Sequence, residues 1–144
     1  MQNVQPSEGA LANAWHSAGA AVALTNTAAL STTAAALDTG GKTSVTAECN
    51  LSVPGAIAIV YVVAQVSIDG GTTWMQAQTE LVNAPADGDV SLAPARFRKP
   101  VTVAEIWPVT FKTPGCTHYR FLAYGNVGDV ASRFTIRTKD CGLE

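Results

Sequence analysis

The stretch AIAIVYVVAQV, at 56–66, constrains the fold of this chain more than any other segment. Its apolar residues are too continuous for a surface helix, and most of its large side chains are β-branched, which favours extended backbone. We therefore expect a long central strand here. Just upstream, Val45, Ala47, Cys49 and Leu51 alternate with polar residues, which is typical of a strand with one buried face.

The last third of the sequence contains a hairpin pattern. Strands are predicted at 118–124 and 131–137, with a turn at 125–129 that is rich in glycine and polar residues. In the second strand Phe134 and Ile136 point to one face, while the arginines and the threonine between and beside them point to the other. This period of two predicts that the hairpin buries one face and exposes the other.

Shorter strands complete the predicted set. They are expected at 75–80, 90–92, 101–106 and 109–112, with the rest of 83–100 as a loop. The dipeptide Trp107-Pro108 is expected to separate the last two strands, because proline removes a backbone donor. About eight short strands with turns between them predict an all-β fold, an antiparallel β-sandwich of either the jelly-roll or the Ig-like type.

The N-terminal region is harder to assign. Residues 1–9 are polar and contain a proline, so they are predicted to form a flexible, extended arm, and residues 10–144 to form a single β-sandwich domain. The Ala- and Thr-rich segment 10–37 favours strands and irregular extended chain. A short helix at Glu8–His16, capped by Ser7, is the alternative.

Composition limits the class of partner. Charged residues make up 14% of the chain, against roughly 25% in typical soluble domains, which suggests that other protein chains cover much of the surface. The net charge is −2 without a broad basic segment, which argues against direct nucleic-acid binding. No stretch approaches the ~20 apolar residues of a membrane span. The first residues lack the order of a secretory signal, so export by that route is not expected.

Candidate catalytic and metal-binding residues are few, and each has a simpler interpretation. Cys49, Cys116 and Cys141 are expected to be reduced thiols, and a disulfide between the first two is disfavoured. Cys116 and His118 could share a strand face, but no third ligand accompanies them, and the only other histidine is His16. The pair Asp87 and Asp89 is interpreted as a solvated turn rather than a calcium loop. We expect no enzyme activity, no catalytic residues, no metal and no cofactor.

The most specific motif is SIDGGTTW, which matches the Asp-box pattern Ser-x-Asp-x-Gly-x-Thr-Trp at every defined position. The residues expected to build its hairpin are Ser67, Asp69, Gly70, Gly71 and Trp74. The aspartate can accept bonds from turn amides, the glycines permit positive φ, and the tryptophan can fold back on the hairpin. In sialidases and other propellers this box recurs once per blade. A single copy in a chain of 144 residues cannot build a propeller, so the motif is interpreted as a structural hairpin.

Four segments together resemble a known family: ALDTGGKTSVTAECNLS, IVYVVAQVSIDGGTTW, HYRFLAYG and SRFTIRTK. Their order is similar to that in small β-sandwich proteins of tailed-bacteriophage virions, over roughly residues 35–139. The resemblance implies a non-enzymatic capsid cement or decoration protein that binds and stabilises the lattice of the major capsid protein. It also implies a homotrimer at capsid three-fold positions, assembled in the host cytoplasm and placed on the capsid exterior.

Two other functions stay open: a phage neck or tail component, and a carbohydrate-binding β-sandwich module. The second would use an aromatic platform drawn from Trp15, Trp74, Trp107, Tyr61, Tyr119 and Tyr124. Trp107, beside Pro108, is expected to be the most exposed of these. With Trp15, it is the candidate for contact with a partner subunit or, alternatively, a glycan.

Overall fold

A computed structural model describes residues 11–15, 21–26, 37–83, 91–94 and 96–139. Within these residues the chain forms strands, turns and bends, without a helix, which confirms the predicted all-β fold. The strands are β1 (Leu11–Asn13), β2 (Val22–Leu24), β3 (Leu37–Asp38), β4 (Ser44–Val53), β5 (Ile59–Ser67), β6 (Met75–Gln76), β7 (Gln78–Asn83), β8 (Ser91–Pro94), β9 (Arg96–Pro100), β10 (Glu105–Lys112), β11 (His118–Gly125) and β12 (Asp129–Lys139).

Two antiparallel sheets pack against each other, as the predicted β-sandwich requires. The larger sheet has the order β1-β12-β4-β10-β7-β8, and β2 also pairs with β12. The smaller sheet has the order β3-β11-β5-β6, and β9 also pairs with β5. The two long strands predicted first, β4 and β5, therefore lie at the centres of different sheets.

The alternation in sequence translates directly into burial. On β5, Val60, Val62 and Ala64 are buried, while the residues between them are half-buried on the outer side. Phe134 and Ile136 are completely buried on β12, as the hairpin pattern predicted. The core thus lies between the inner faces of the two sheets, where the long strands β4, β5, β10, β11 and β12 contribute every second side chain.

Aromatic side chains join the two sheets across this core. Phe111 of β10 packs edge-to-face against Tyr119 and Phe121 of β11, with ring centroids 5.8 and 5.5 Å apart. The Tyr119 hydroxyl donates a buried hydrogen bond of 2.9 Å to Oγ1 of Thr138 on β12. Both contacts connect a strand of one sheet to a strand of the other, so the sheets share one core.

Two predicted strand boundaries were wrong around the basic segment. Residues 96–100, assigned to a loop, form β9 and pair with Ile59–Val63 of β5. Residues 101–104, assigned to a strand, form a bend. Strand β10 also runs without a break through Trp107-Pro108. In the described residues β7 pairs with β10 only at Lys112, so the edge beside Pro108 is open and tolerates a residue without an N–H.

The expected exposure of Trp107 was also wrong. Trp107 is 7% exposed and lies on the inner face of β10, where its ring is 5.9 Å from that of Phe134. Trp15 is 4% exposed and packs edge-to-face on the same phenylalanine at 5.4 Å. The alternation of β10 sets this orientation, because Trp107 has the parity of the buried Val109 and Phe111. Both tryptophans are therefore core residues of the folded chain.

Near the N-terminus, the strand interpretation holds where the structure describes it. β1 and β2 are extended and pair with β12, so the alternative helix at Glu8–His16 is wrong over residues 11–13. The predicted arm at 1–9 lies outside the described residues. None of the described residues belongs to a helix long and apolar enough to span a membrane.

Candidate functional site

The SIDGGTTW hairpin connects β5 to β6 and is organised by two side chains. Asp69 Oδ1 accepts hydrogen bonds from the amides of Thr72 and Thr73, at 3.1 and 2.8 Å, and from the hydroxyl of Ser67 at 2.7 Å. Ser67 Oγ in turn accepts a bond of 2.9 Å from the amide of Gly71. In these contacts the polar atoms of Ser67 and Asp69 bond to groups of the turn itself.

The electrostatics of Asp69 follow from those bonds. Donation from the Thr73 amide, and then from the Ser67 hydroxyl, lowers the pKa of the Asp69 carboxyl to about 2. All of these donors stabilise the ionised form. A carboxyl held ionised in this way accepts hydrogen bonds but is poorly suited to act as a general acid near neutral pH.

The remaining residues of the motif complete the hairpin. Gly70 and Gly71 have φ of 76° and 95°, in the left-handed region that the sequence predicted for them. Trp74 is half-buried, and its ring contacts the guanidinium of Arg120 on β11, whose Cζ lies 4.1 Å from the ring centroid. The Gly70 amide also donates a hydrogen bond of 3.0 Å to Thr117 Oγ1. The hairpin is thus fixed to the turn that precedes β11.

The cysteines have the character of structural thiols. Cys49 is fully buried in β4, and burial raises the pKa of its thiol to about 12. Cys116 lies in the turn before β11, where burial also raises its pKa, and both thiols are free. Cys141, His16, Asp87 and Asp89 lie outside the described residues. Among the described ones, no group of three or more His, Cys, Asp and Glu side chains is placed to hold a metal ion.

At the end of the sandwich opposite the SIDGGTTW hairpin, three loops are fastened together: 54–58, 101–104 and 125–129. Asn126 Oδ1 accepts hydrogen bonds from the amides of Ala58 and Ile59, at 2.9 and 3.0 Å. The carbonyl of Ala58 accepts a hydrogen bond of 2.9 Å from the Val101 amide. These loops are therefore held by side-chain and backbone bonds rather than by core packing alone.

Asp129 fastens the same region from the start of β12. Its carboxylate accepts hydrogen bonds from the Ala56 amide at 2.6 Å and from the Ala131 amide at 2.9 Å. Donation from the Ala131 amide, and then from the Ala56 amide, lowers the pKa of this carboxyl. The aspartate thus joins the β4–β5 loop to the β11–β12 hairpin.

Exposed aliphatic side chains collect around these loops. Of the seven large hydrophobic residues that are exposed in the described part of the chain, five lie at this end, and we call them the valine end: Val53, Val103, Ile106, Val127 and Val130. Val130 is 87% exposed and Val103 62%. Apolar residues exposed together at one end of a fold, on and beside braced loops, are typical of a surface that another protein covers.

Sequence reasoning missed the valine end. Its five residues come from the end of β4, a bend, the start of β10, the turn before β12 and the start of β12, so no local pattern unites them. The one sequence feature that pointed to such a surface was the low fraction of charged residues, which suggested a covered surface without locating it. The aromatic platform proposed from sequence is divided by the fold: Trp15, Trp107 and Tyr119 are buried, whereas Tyr61, Trp74 and Tyr124 are half-buried.

Comparison with known proteins adds no relative. No family model matches the chain, and neither a curated protein nor a solved structure matches it.

Proposed function

We propose that this chain is a non-enzymatic structural protein of a tailed-phage virion, a cement or decoration protein that binds the lattice of the major capsid protein. The observation that carries the proposal is the valine end, which presents five exposed aliphatic side chains on and beside the loops held by Asn126 and Asp129. The four segments that resemble virion β-sandwich proteins support it, as does the low charge content of 14%.

The mechanism is thermodynamic linkage. A protein that binds assembled capsid subunits, and not dispersed ones, shifts the equilibrium toward the assembled lattice. Burial of a valine or isoleucine side chain contributes roughly 1.5–3 kcal/mol, so a few such contacts in each copy give a useful affinity. Repetition over many copies then multiplies the stabilisation of the particle. In this proposal the chain acts as a homotrimer at three-fold positions on the capsid exterior.

The test is co-sedimentation with capsids from the source particle, preceded by light scattering. We expect a mass three times that of the 14.9-kDa chain, and pelleting with capsids. Val130→Asp should abolish pelleting, because it places a charge at the most exposed aliphatic position of the valine end. Ile68→Asp is the matched control, since Ile68 is 61% exposed but lies at the opposite end of the sandwich, and this variant should still pellet.

Each other outcome has a distinct meaning. If the unchanged protein does not pellet with capsids, the cement function is wrong. If Val130→Asp pellets as the unchanged protein does, the contact lies elsewhere on the domain. Binding to isolated tails or necks in place of capsids would establish the tail or neck alternative.

A further inference from the structure

The outer face of the smaller sheet carries an organised set of arginine and aromatic side chains, which we call the arginine face: Arg96, Arg98, Arg120, Tyr61, Tyr124 and Trp74. The register of the sheet places them side by side. Tyr61 of β5 is opposite Arg98 of β9 on one side and Tyr124 of β11 on the other, and Val63 is opposite Arg96. Since Val60 and Val62 point into the core, Tyr61 and Val63 point outward.

Arg96 is held by the two tyrosines. Its Nη2 donates a hydrogen bond of 2.6 Å to the Tyr124 hydroxyl, and its Cζ lies 5.5 Å from the centroid of the Tyr61 ring. The two rings are stacked on each other, with centroids 4.7 Å apart and planes at 14°. The guanidinium is therefore oriented before any partner arrives, which reduces the entropy lost on binding.

Arg120 is held in a similar way further along the sheet. Its Nε donates a hydrogen bond of 2.7 Å to Gln65 Oε1, and its Cζ is 4.1 Å from the centroid of the Trp74 ring. Burial lowers the pKa of Arg120, which still leaves a guanidinium ionised at neutral pH. A partly desolvated cation binds an anion more strongly than one in open water.

Charge is segregated on this face. Within the described residues, Asp38 of β3 is the acidic residue on the same side, at the sheet edge opposite His118, and its Oδ1 accepts a bond from the Gly40 amide. Arg98 is exposed and has no hydrogen bond or ion pair in the described part of the chain. The face thus carries three arginines in a chain whose net charge is −2, and it is complementary to an anionic partner.

The chemistry of the face favours an anionic partner over a neutral sugar. Arg120 covers one face of the Trp74 ring, and Tyr124 and Arg96 both lie against the Tyr61 ring, so these contacts already occupy ring faces on which a sugar would stack. The guanidinium edges match the two oxygens of a carboxylate. Arginine, tyrosine and tryptophan are also the residue types enriched at protein interfaces.

We propose that the arginine face docks a carboxylate-bearing segment of a partner protein. This docking site is separate from the valine end and does not depend on the capsid role, because the two surfaces occupy different parts of the sandwich.

The experiment measures the binding of a fluorescent poly-glutamate peptide by anisotropy at low salt, with a poly-glutamine peptide of equal length as the neutral probe. We expect the glutamate peptide alone to bind. The combined variant Arg96→Gln, Arg98→Gln and Arg120→Gln should weaken binding by about tenfold or more, because charge-assisted hydrogen bonds are lost. Arg133→Gln removes an exposed arginine on the larger sheet and should bind as the unchanged protein does.

Two further comparisons separate the proposal from simple charge attraction and from misfolding. Arg98→Gln alone removes a side chain that makes no hydrogen bond or ion pair within the described part of the chain, so it should leave thermal unfolding unchanged and still weaken binding. Arg96→Lys with Arg120→Lys keeps the charge but loses the planar fork, and should also weaken binding. Equal binding by the combined variant, or tighter binding of oligothymidylate or of a neutral glucan than of poly-glutamate, would overturn the proposal.

Discussion

Ser67 and Asp69 accept most of the amide hydrogen bonds of the β5–β6 hairpin, while the Gly70 amide donates to Thr117. The serine hydroxyl accepts a hydrogen bond from the Gly71 amide, while the aspartate accepts hydrogen bonds from the amides of Thr72 and Thr73. The contacts within SIDGGTTW could be predicted from the motif, because they join residues at most four apart. The contact of Trp74 with Arg120 could not, since it depends on which strand lies beside β5.

The lowered pKa of Asp69 predicts a pH-dependent contribution to stability. Its pKa is about 2 in the folded chain, against an ordinary value of 3.8. The ionised carboxylate therefore stabilises the fold fully above the ordinary pKa, and this contribution is lost as pH falls through about 2. We expect the melting temperature of Asp69→Asn to lie below that of the unchanged protein at neutral pH, with the difference shrinking in acid. Thermal unfolding followed by circular dichroism across this range measures it, and a difference independent of pH would contradict the prediction.

Strand β9 could not be predicted from the pattern of its own residues. Its sequence, RFRKP, places Phe97 and Lys99 on the inner side and Arg96 and Arg98 on the outer side, so the inner face mixes an aromatic with a cation. The lysine is accommodated because its Nζ lies 5.9 Å from the Trp107 ring centroid and 2.6 Å from Glu105. These partners belong to β10, so the segment becomes a strand through tertiary contacts that its own sequence does not reveal.

The loop between β4 and β5 gives a prediction at the same scale. Gly55 has φ of 56°, and a β-carbon there would collide with the carboxylate of Asp129, which accepts the Ala56 amide. Gly55→Ala should therefore lower the free energy of unfolding through backbone strain and through loss of that bond. Gly40→Ala is the matched control. Gly40 has φ of 64° but open space around it, so only the strain of about 1–2 kcal/mol applies. Urea unfolding of both variants measures the difference, and equal losses would show that Asp129 moves aside freely.

At the scale of the whole molecule, the pairing of sheets follows from where apolar faces meet. The sequence predicted the fold class, because alternation on β4, β5, β11 and β12 specifies strands with one buried face. It did not predict that β4 would lie between β10 and β12, since those strands are distant along the chain and any apolar face could have covered another. The valine end escaped prediction for the same reason, because the sheet order creates it.

One shared core predicts one unfolding transition. Phe111 of the larger sheet packs on Tyr119 and Phe121 of the smaller sheet, so neither sheet keeps a buried face if the other unfolds. Scanning calorimetry should show a single peak, with a calorimetric enthalpy equal to the van't Hoff enthalpy and near 0.7 kcal/mol per ordered residue at about 60 °C. Two peaks, or a calorimetric enthalpy well above the van't Hoff value, would mean that the sheets unfold separately.

The short strands β1 and β2 run along the same side of β12, at its C-terminal end and over its N-terminal half. Without them β12 would present a row of unpaired N–H and C=O groups, the kind of edge on which strands of other molecules add to form aggregates. Two three-residue strands cover that edge in place of one long one. Protection of the larger sheet against uncontrolled polymerisation therefore depends on residues that precede the main body of the sandwich in sequence.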